Sequence, residues 1–337
     1  MDKMHALMLS HEKHCRMIMC VTILHSGIVT FSNILGQNIT VEQMRERTSG
    51  AQPKILFLSS RFPAIMQLIL TTSRLYRLPP VRFYLYICDS YCYQFRDLPL
   101  FVMAKPSNRE GILIPDDSFL GKQTWEESVA LINQNSCETK IPIVYFKGAR
   151  TGRAEKVSRR HGAVVLDQKW ATRCIFEKHA LTSKVMEVLL SGPQEAMHTW
   201  SKYKYLLNMP GGQPWSYRYK YLLVMKSLVI DIVVHQQYGS DPKNYNLRWD
   251  NFFDAFFRHN REYIQVPFRW IENDPEHNQR EHQRVIQRVE NIFAYYEKNQ
   301  EAYSAIVQSC TRRVKCVSQA AVYHGTSVVI KEYAEAI

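Results

Sequence analysis

Apolar and polar positions change their spacing repeatedly across residues 202–230, a stretch that reads KYKYLLNMPGGQPWSYRYKYLLVMKSLVI. Tyr203, Tyr205 and Leu207 alternate as on a strand. Asn208, Pro210, Gly211 and Gly212 interrupt that alternation and predict a tight turn. Ser216 is placed to cap a helix over residues 217–225. An apolar run follows, with Leu228, Val229, Ile230, Ile232, Val233 and Val234, the pattern of a strand buried in a parallel sheet. Strand, turn, helix and strand together make a repeating unit of α/β proteins.

The same reading extends in both directions. Residues 55–58 are an unbroken apolar run and predict a buried strand. Pro63 opens a helix at its first position, with Ile65, Met66, Leu68, Ile69 and Leu75 on the apolar face. Leu78, Pro79 and Pro80 stop it, and Val81, Phe83, Leu85 and Ile87 alternate as a second strand. This predicts a βαβ unit with a right-handed crossover. It places Asp89 at the carboxyl end of a strand, where open α/β sheets bind ligands. Further on, residues 125–134 predict a helix, 142–146 a strand and 147–152 a basic loop. Residues 162–167 open the sheet of a second domain, 249–259 form a helix and 263–266 a short strand. From Glu281, the residues Val285, Ile286, Val289, Ile292, Phe293 and Tyr296 fall on one helical face. A second helix follows, carrying Tyr303, Ile306, Val307, Cys310 and Val314. No internal repeat or low-complexity segment interrupts the pattern. The organisation expected is a lead-in over 1–50, one α/β domain over 51–160, a second over 161–280 and C-terminal helices over 281–337.

Composition narrows the classes. With 46% hydrophobic and 22% charged residues the chain is globular and long enough to bury a sizeable core. The formal net charge of +12 favours anionic ligands such as nucleotides. The basic residues are scattered, and no run of Lys and Arg reaches five. A nucleic-acid-binding protein, the first rival reading, would cluster them on one face. The 8 cysteines include no CxxC pair and have irregular spacing, which favours free thiols over a zinc site or a disulfide scaffold. Residues 17–35 are the one membrane candidate, but His25, Ser26, Gly27, Ser32 and Asn33 fall within it. The expected compartment is therefore the cytoplasm, with the endoplasmic reticulum or Golgi as the alternative if 17–35, preceded by Lys13 and Arg16, acts as a signal-anchor. Asn38-Ile39-Thr40 is a glycosylation sequon, of a kind that arises easily by chance.

A turn between a strand and a helix offers free backbone N–H groups and a positive helix end, both suited to phosphate. Arg218 adds a fork of donors there. The spacing is neither GxGxxG nor GxxxxGK[ST], and most such units bind no phosphate. The residues themselves say more. Tyr203-Lys204-Tyr205, Gly212, Ser216-Tyr217-Arg218 and Ser227-Leu228-Val229 follow in order the signature of glycosyltransferase family 90, which this stretch resembles. That family holds protein O-glucosyltransferases and fungal capsule-associated xylosyltransferases. Phe146, Gly148, Arg150 and Thr151 match its Phe-Arg-Gly-Ser-Arg-Thr loop, with Lys147 in place of the first arginine. Asp89 matches an aspartate that the family carries after a strand in an Asp-aromatic-Pro setting, although Asp89-Ser90-Tyr91 lacks the proline. Residues 111–116 resemble the apolar segment bordering the acceptor cleft, and Glu262 begins a segment where the family has His-Tyr-apolar-Pro. The resemblance covers roughly residues 50–300.

The resemblance implies a GT-B-like fold: two Rossmann-like domains facing across a cleft, with C-terminal helices crossing back. It implies a transferase moving glucose or xylose from a UDP-sugar to a hydroxyl of a protein or glycan acceptor, with inversion. Asp89 would be the general base. Gly148, Arg150, Thr151, Gly212, Ser216, Tyr217 and Arg218 would bind the donor, and Asp116 and Asp117 would lie on the acceptor side. Neither metal nor cofactor is expected, because in the implied scheme arginines and a helix end supply the positive charge, and Asp116-Asp117 is not the DxD of metal-dependent sugar transferases. The partners expected are the donor and the acceptor, with no nucleic acid, and membrane association is not favoured. A second rival keeps the fold but loses catalysis, serving as a binding module.

Overall fold

The computed structural model describes residues 18–33, 36–39, 53–87, 99–119, 125–149, 157–160, 163–166, 172–193, 195–211, 216, 218–237, 249–271 and 274–337. In chain order the elements begin with β1 (Ile18–Ile23), β2 (Val29–Ser32), α1 (Pro53–Tyr76), β3 (Val81–Tyr86), β4 (Phe101–Val102), β5 (Ala104–Pro106), β6 (Ile112–Leu113) and α2 (Trp125–Gln134). They continue with β7 (Ile141–Lys147), β8 (Val157–Arg160), β9 (Ala163–Leu166), α3 (Thr172–Ala180), β10 (Met186–Leu189), β11 (Tyr203–Asn208) and α4 (Tyr219–Val224). The last are β12 (Leu228–Gln237), β13 (Trp249–Asn251), β14 (Ile264–Ile271), α5 (Pro275–Lys298), α6 (Gln300–Val314) and α7 (Gln319–Ala336). The chain divides into two compact α/β units. The first comprises Met1–Glu127, Asp250–Phe252 and Val317–Ile337, the second Ser128–Trp249 and Phe253–Cys316.

The first unit is built on a mixed sheet of order β2-β1-β3-β4-β6. β1 runs antiparallel to both β2 and β3, whereas β4 is parallel to β3 and to β6. This corrects the expected strand at 55–58. Residues 55–58 lie inside the 24-residue helix α1, with Pro63 internal to it. A short apolar run does not distinguish a buried strand from a buried helix segment. Among the described residues the strand that leads into α1 is instead β2, which is parallel to β3 but separated from it by β1, so the expected βαβ unit occurs in split form. Much of the membrane candidate is a hairpin, turning through residues 24–27 with Gly27 at φ +80°. Among the described residues no helix is long and apolar enough to cross a membrane. The last helix, α7, belongs to this unit, and its Tyr333 meets the rings of Phe83 and Phe101 at 6.4 and 5.2 Å.

The second unit holds five parallel strands in the order β10-β7-β11-β12-β14. Numbered along the chain, that order is 2-1-3-4-5, the doubly wound arrangement of flavodoxin-like sheets. The sheet begins at β7, ahead of the boundary at 161 expected from sequence, while β8 and β9 form a separate antiparallel pair. Its core includes Val144, Phe146, Tyr205, Leu207, Ile230, Ile232, Val266 and Phe268, covered by Val285, Val289 and Ile292 of α5 and Ile306 of α6. α5 starts at Pro275 and is capped by Asp274, whose side chain accepts from the N–H of His277 at 2.9 Å. β14 is twice as long as residues 263–266 suggested, since it runs through Pro267. Proline is tolerated because β14 is an edge strand, paired among the described residues with β12 alone. Residues 249–259 are not an α-helix: β13 is followed by a 3-10 turn, Phe252–Phe256. Of this aromatic-rich run only Ala255 and Arg258 are strong helix formers.

Candidate functional site

In a 2-1-3-4-5 sheet the chain's direction of winding reverses between the first and third strands, here β7 and β11. Helices cover opposite faces on either side of that point, so a crevice opens beyond the carboxyl ends of the strands. β7 reaches it through the buried residues Val144, Tyr145 and Phe146 and ends at Lys147, followed by Gly148 and Ala149. β10 ends alongside, and the Gly148 N–H donates to Leu189 O at 3.0 Å. A cavity of about 810 Å³ lies here, lined among others by Lys147, Gly148, Ser191, Glu195, Trp200 and Arg218.

Arg218 is fixed by contacts on several sides. Its Nη1 donates to Lys147 O at 2.9 Å. Its guanidinium carbon lies 5.2 Å from the centre of the Phe146 ring and 5.3 Å from that of Trp200, within cation–π range of both. Gly148 makes this approach possible. A β-carbon there would stand 2.9 Å from the Phe146 ring and 3.0 Å from Arg218 Nη1. A second arginine, Arg173 at the start of α3, is 5% exposed and lies 5.1 Å from the Phe146 ring. It donates to Ala149 O at 3.0 Å and to Met209 O at 3.3 Å, joining the segments that leave β7 and β11.

Glu195 brings a carboxylate to the same cavity. The Tyr145 hydroxyl donates to its Oε2, Thr199 Oγ1 donates to Oε1 at 3.0 Å, and Lys202 Nζ stands 3.7 Å away. Burial pushes this carboxyl up, but the hydrogen bonds from Tyr145 and Thr199 and the Lys202 charge outweigh it and hold Glu195 below its ordinary range. Burial, and then the bond to Glu195, push the Tyr145 hydroxyl well above its ordinary value, so it remains a donor. Tyr145 stacks on Tyr203 at 3.8 Å and meets Trp200 edge-on at 5.6 Å. The Trp200 indole nitrogen is buried without a hydrogen-bond partner among the described residues.

Of the residues expected to bind a donor, Gly148 and Arg218 come together here. Ser216 is not the helix cap. α4 is six residues long, its cap position is Arg218, whose side chain makes no capping bond, and Ser216 contributes its carbonyl to the Tyr219 N–H at 3.2 Å. Asp89, Arg150, Thr151, Gly212 and Tyr217 lie outside the described residues. Asp116 and Asp117 belong to the first unit. Asp116 is buried, and Asp117 opens a 3-10 turn and pairs with Arg61 at 3.4 Å. Glu262 is buried in the second unit and holds a turn, accepting from the Arg258 N–H at 2.6 Å and from Ser309 Oγ at 3.2 Å. Among the described residues no group of three or more His, Cys, Asp or Glu could hold a metal ion. Sequence reading passed over Arg173, Glu195 and Trp200. None stands in a recognisable spacing, and it is the strand order that gathers them.

Compared with known proteins, residues 88–315 match the family model of glycosyl transferase family 90, a span of roughly two thirds of the chain that includes every residue of this cavity. No curated protein matches the chain.

Proposed function

The chain belongs to glycosyl transferase family 90, and from that premise we propose that it moves glucose or xylose from a UDP-sugar to a hydroxyl of a protein or glycan, with inversion. The fold reading that accompanies this is GT-B-like, with the donor in the second unit and Asp89, Asp116 and Asp117 on the acceptor side. The observation that carries the reading is the cavity beyond the carboxyl ends of β7 and β10, beside the reversal point of a 2-1-3-4-5 sheet, with Lys147, Gly148 and Arg218 on its wall. Such crevices are where doubly wound sheets bind nucleotides. A guanidinium clamped between rings is a preorganised partner for diphosphate oxygens. The support comes from the strand edge and these cations rather than from a helix end, because α4 is too short to supply one.

In the proposed reaction Asp89 takes the proton of the acceptor hydroxyl as its oxygen attacks the anomeric carbon. The bond from that carbon to the UDP oxygen breaks, and the leaving charge falls on Arg218, Arg150 and neighbouring N–H groups. Gly212, Ser216, Tyr217 and Thr151 complete the donor pocket in this proposal. A UDP-release assay with UDP-glucose and UDP-xylose tests it, run with and without excess EDTA. Release is expected from one of the two donors, in the presence of acceptor, and undiminished by EDTA. Absence of release from either donor contradicts the transferase reading. Loss in EDTA restored by manganese contradicts the arginine-only account of the leaving charge.

A further inference from the structure

The cavity wall that carries Lys147 and Arg218 also carries Glu195, and a carboxylate is an unexpected companion for a diphosphate site. Two negative groups in a partly buried cavity repel, because little solvent screens them. The part of the ligand beside Glu195 is therefore not anionic, and a neutral hydrogen-bond donor there would meet the carboxylate's free lone pairs. Hydroxyl groups meet both conditions, and a bond from a hydroxyl to an ionised carboxylate is charge-assisted.

Glu195 is built for such a role. Thr199 and Tyr145 each donate to one of its oxygens, which fixes the rotamer. Two carboxylate oxygens offer about four lone-pair sites, so these two bonds leave acceptor capacity. The side chain is 24% exposed, enough to be reached from the cavity. Its negative charge is held in place by the same donors and by Lys202. Carboxylates that accept from ribose hydroxyls recur in doubly wound nucleotide-binding sheets.

We propose that Glu195 accepts hydrogen bonds from the ribose hydroxyls of the bound nucleotide while the diphosphate lies toward Lys147 and Arg218, so that Glu195 sets the preference for ribonucleotides. This rests on the donor-site reading above and adds its selectivity residue.

The test compares the affinities of UDP, 2′-deoxy-UDP and 3′-deoxy-UDP by calorimetry, on the full chain and on Glu195→Gln. Glutamine keeps the length and an acceptor oxygen for Tyr145 but removes the charge. The wild type is expected to bind UDP about tenfold or more tighter than the weaker-binding of the two deoxy forms, and the variant to bring that ratio within about threefold. A wild type that binds UDP through Arg218 but treats all three ligands alike overturns the assignment and leaves the donor site standing. A variant that keeps the wild-type ratio also overturns it. If Glu195→Gln does not fold, Glu195→Asp, which withdraws the carboxylate by one methylene, is judged by the same ratio. Failure of the wild type to bind UDP at all overturns the donor-site reading and this inference together.

Discussion

Gly148 leaves room for one arrangement of its neighbours. A methyl group there meets the Phe146 ring at 2.9 Å and Arg218 Nη1 at 3.0 Å, and the ring is itself buried. Gly148→Ala is therefore expected to push Arg218 off its plate. Overpacking of this kind costs about 1–3 kcal/mol. Thermal melting should report part of that loss, and UDP affinity should drop by roughly tenfold. Unchanged affinity would show that Arg218 does not need its present position. Asp89 makes the second prediction at this scale. A positioned base contributes about 10²–10⁴-fold to rate, so Asp89→Asn should cost at least about a hundredfold in kcat, with UDP affinity within about threefold of wild type. Transfer at a near-normal rate by a folded, UDP-binding mutant would move the base elsewhere, with Asp116 and Asp117 next to be tried. Gly148 and Arg218 were legible in the sequence because their loops resemble a known signature. Glu195, Trp200 and Arg173 were not, because their contacts to Tyr145, Arg218 and Phe146 join distant parts of the chain and leave no local spacing.

Elements divide the same way. β11 and β12 were readable because the first alternates and the second is an apolar run, and Pro210 and Gly211 break the pattern between β11 and α4. In the first unit β4 and β6 are two residues each, too short to carry a period. The strand expected over 263–266 ends ahead of Pro267, whereas β14 runs through it, as its edge position allows. α5 covers β14 with a buried histidine, His282, whose ring lies 4.5 Å from that of Phe268. Burial pushes its pKa down to about 4 from 6.5. The unfolded chain then binds a proton that the folded chain refuses, so stability falls as pH drops through 6.5 and levels off near 4. The loss attributable to this group is up to about 3 kcal/mol. Urea unfolding from pH 7.5 to 4 should show it, and His282→Phe should flatten that part of the profile. An identical slope in the mutant would assign the acid sensitivity to other groups.

At the scale of the whole molecule, two units of different sheet character share one chain. The second, all-parallel in its main sheet, has its five strands wound so that the ends of β7 and β11 part at one place. Arg173 ties those ends together, and the cavity with Arg218 lies beside them. The net charge of +12 agrees in sign with an anionic ligand but does not say where it binds. The strand order supports the proposed place, and family membership implies the class of ligand in general terms. The central claim is that a nucleoside diphosphate is held at Arg218. Calorimetric titration of UDP into the wild type and Arg218→Ala, each confirmed folded by circular dichroism, tests it most directly. Removing one charge-assisted contact of about 1.5–3 kcal/mol should weaken binding by roughly ten- to a hundredfold. Equal affinity of the two proteins for UDP would contradict it.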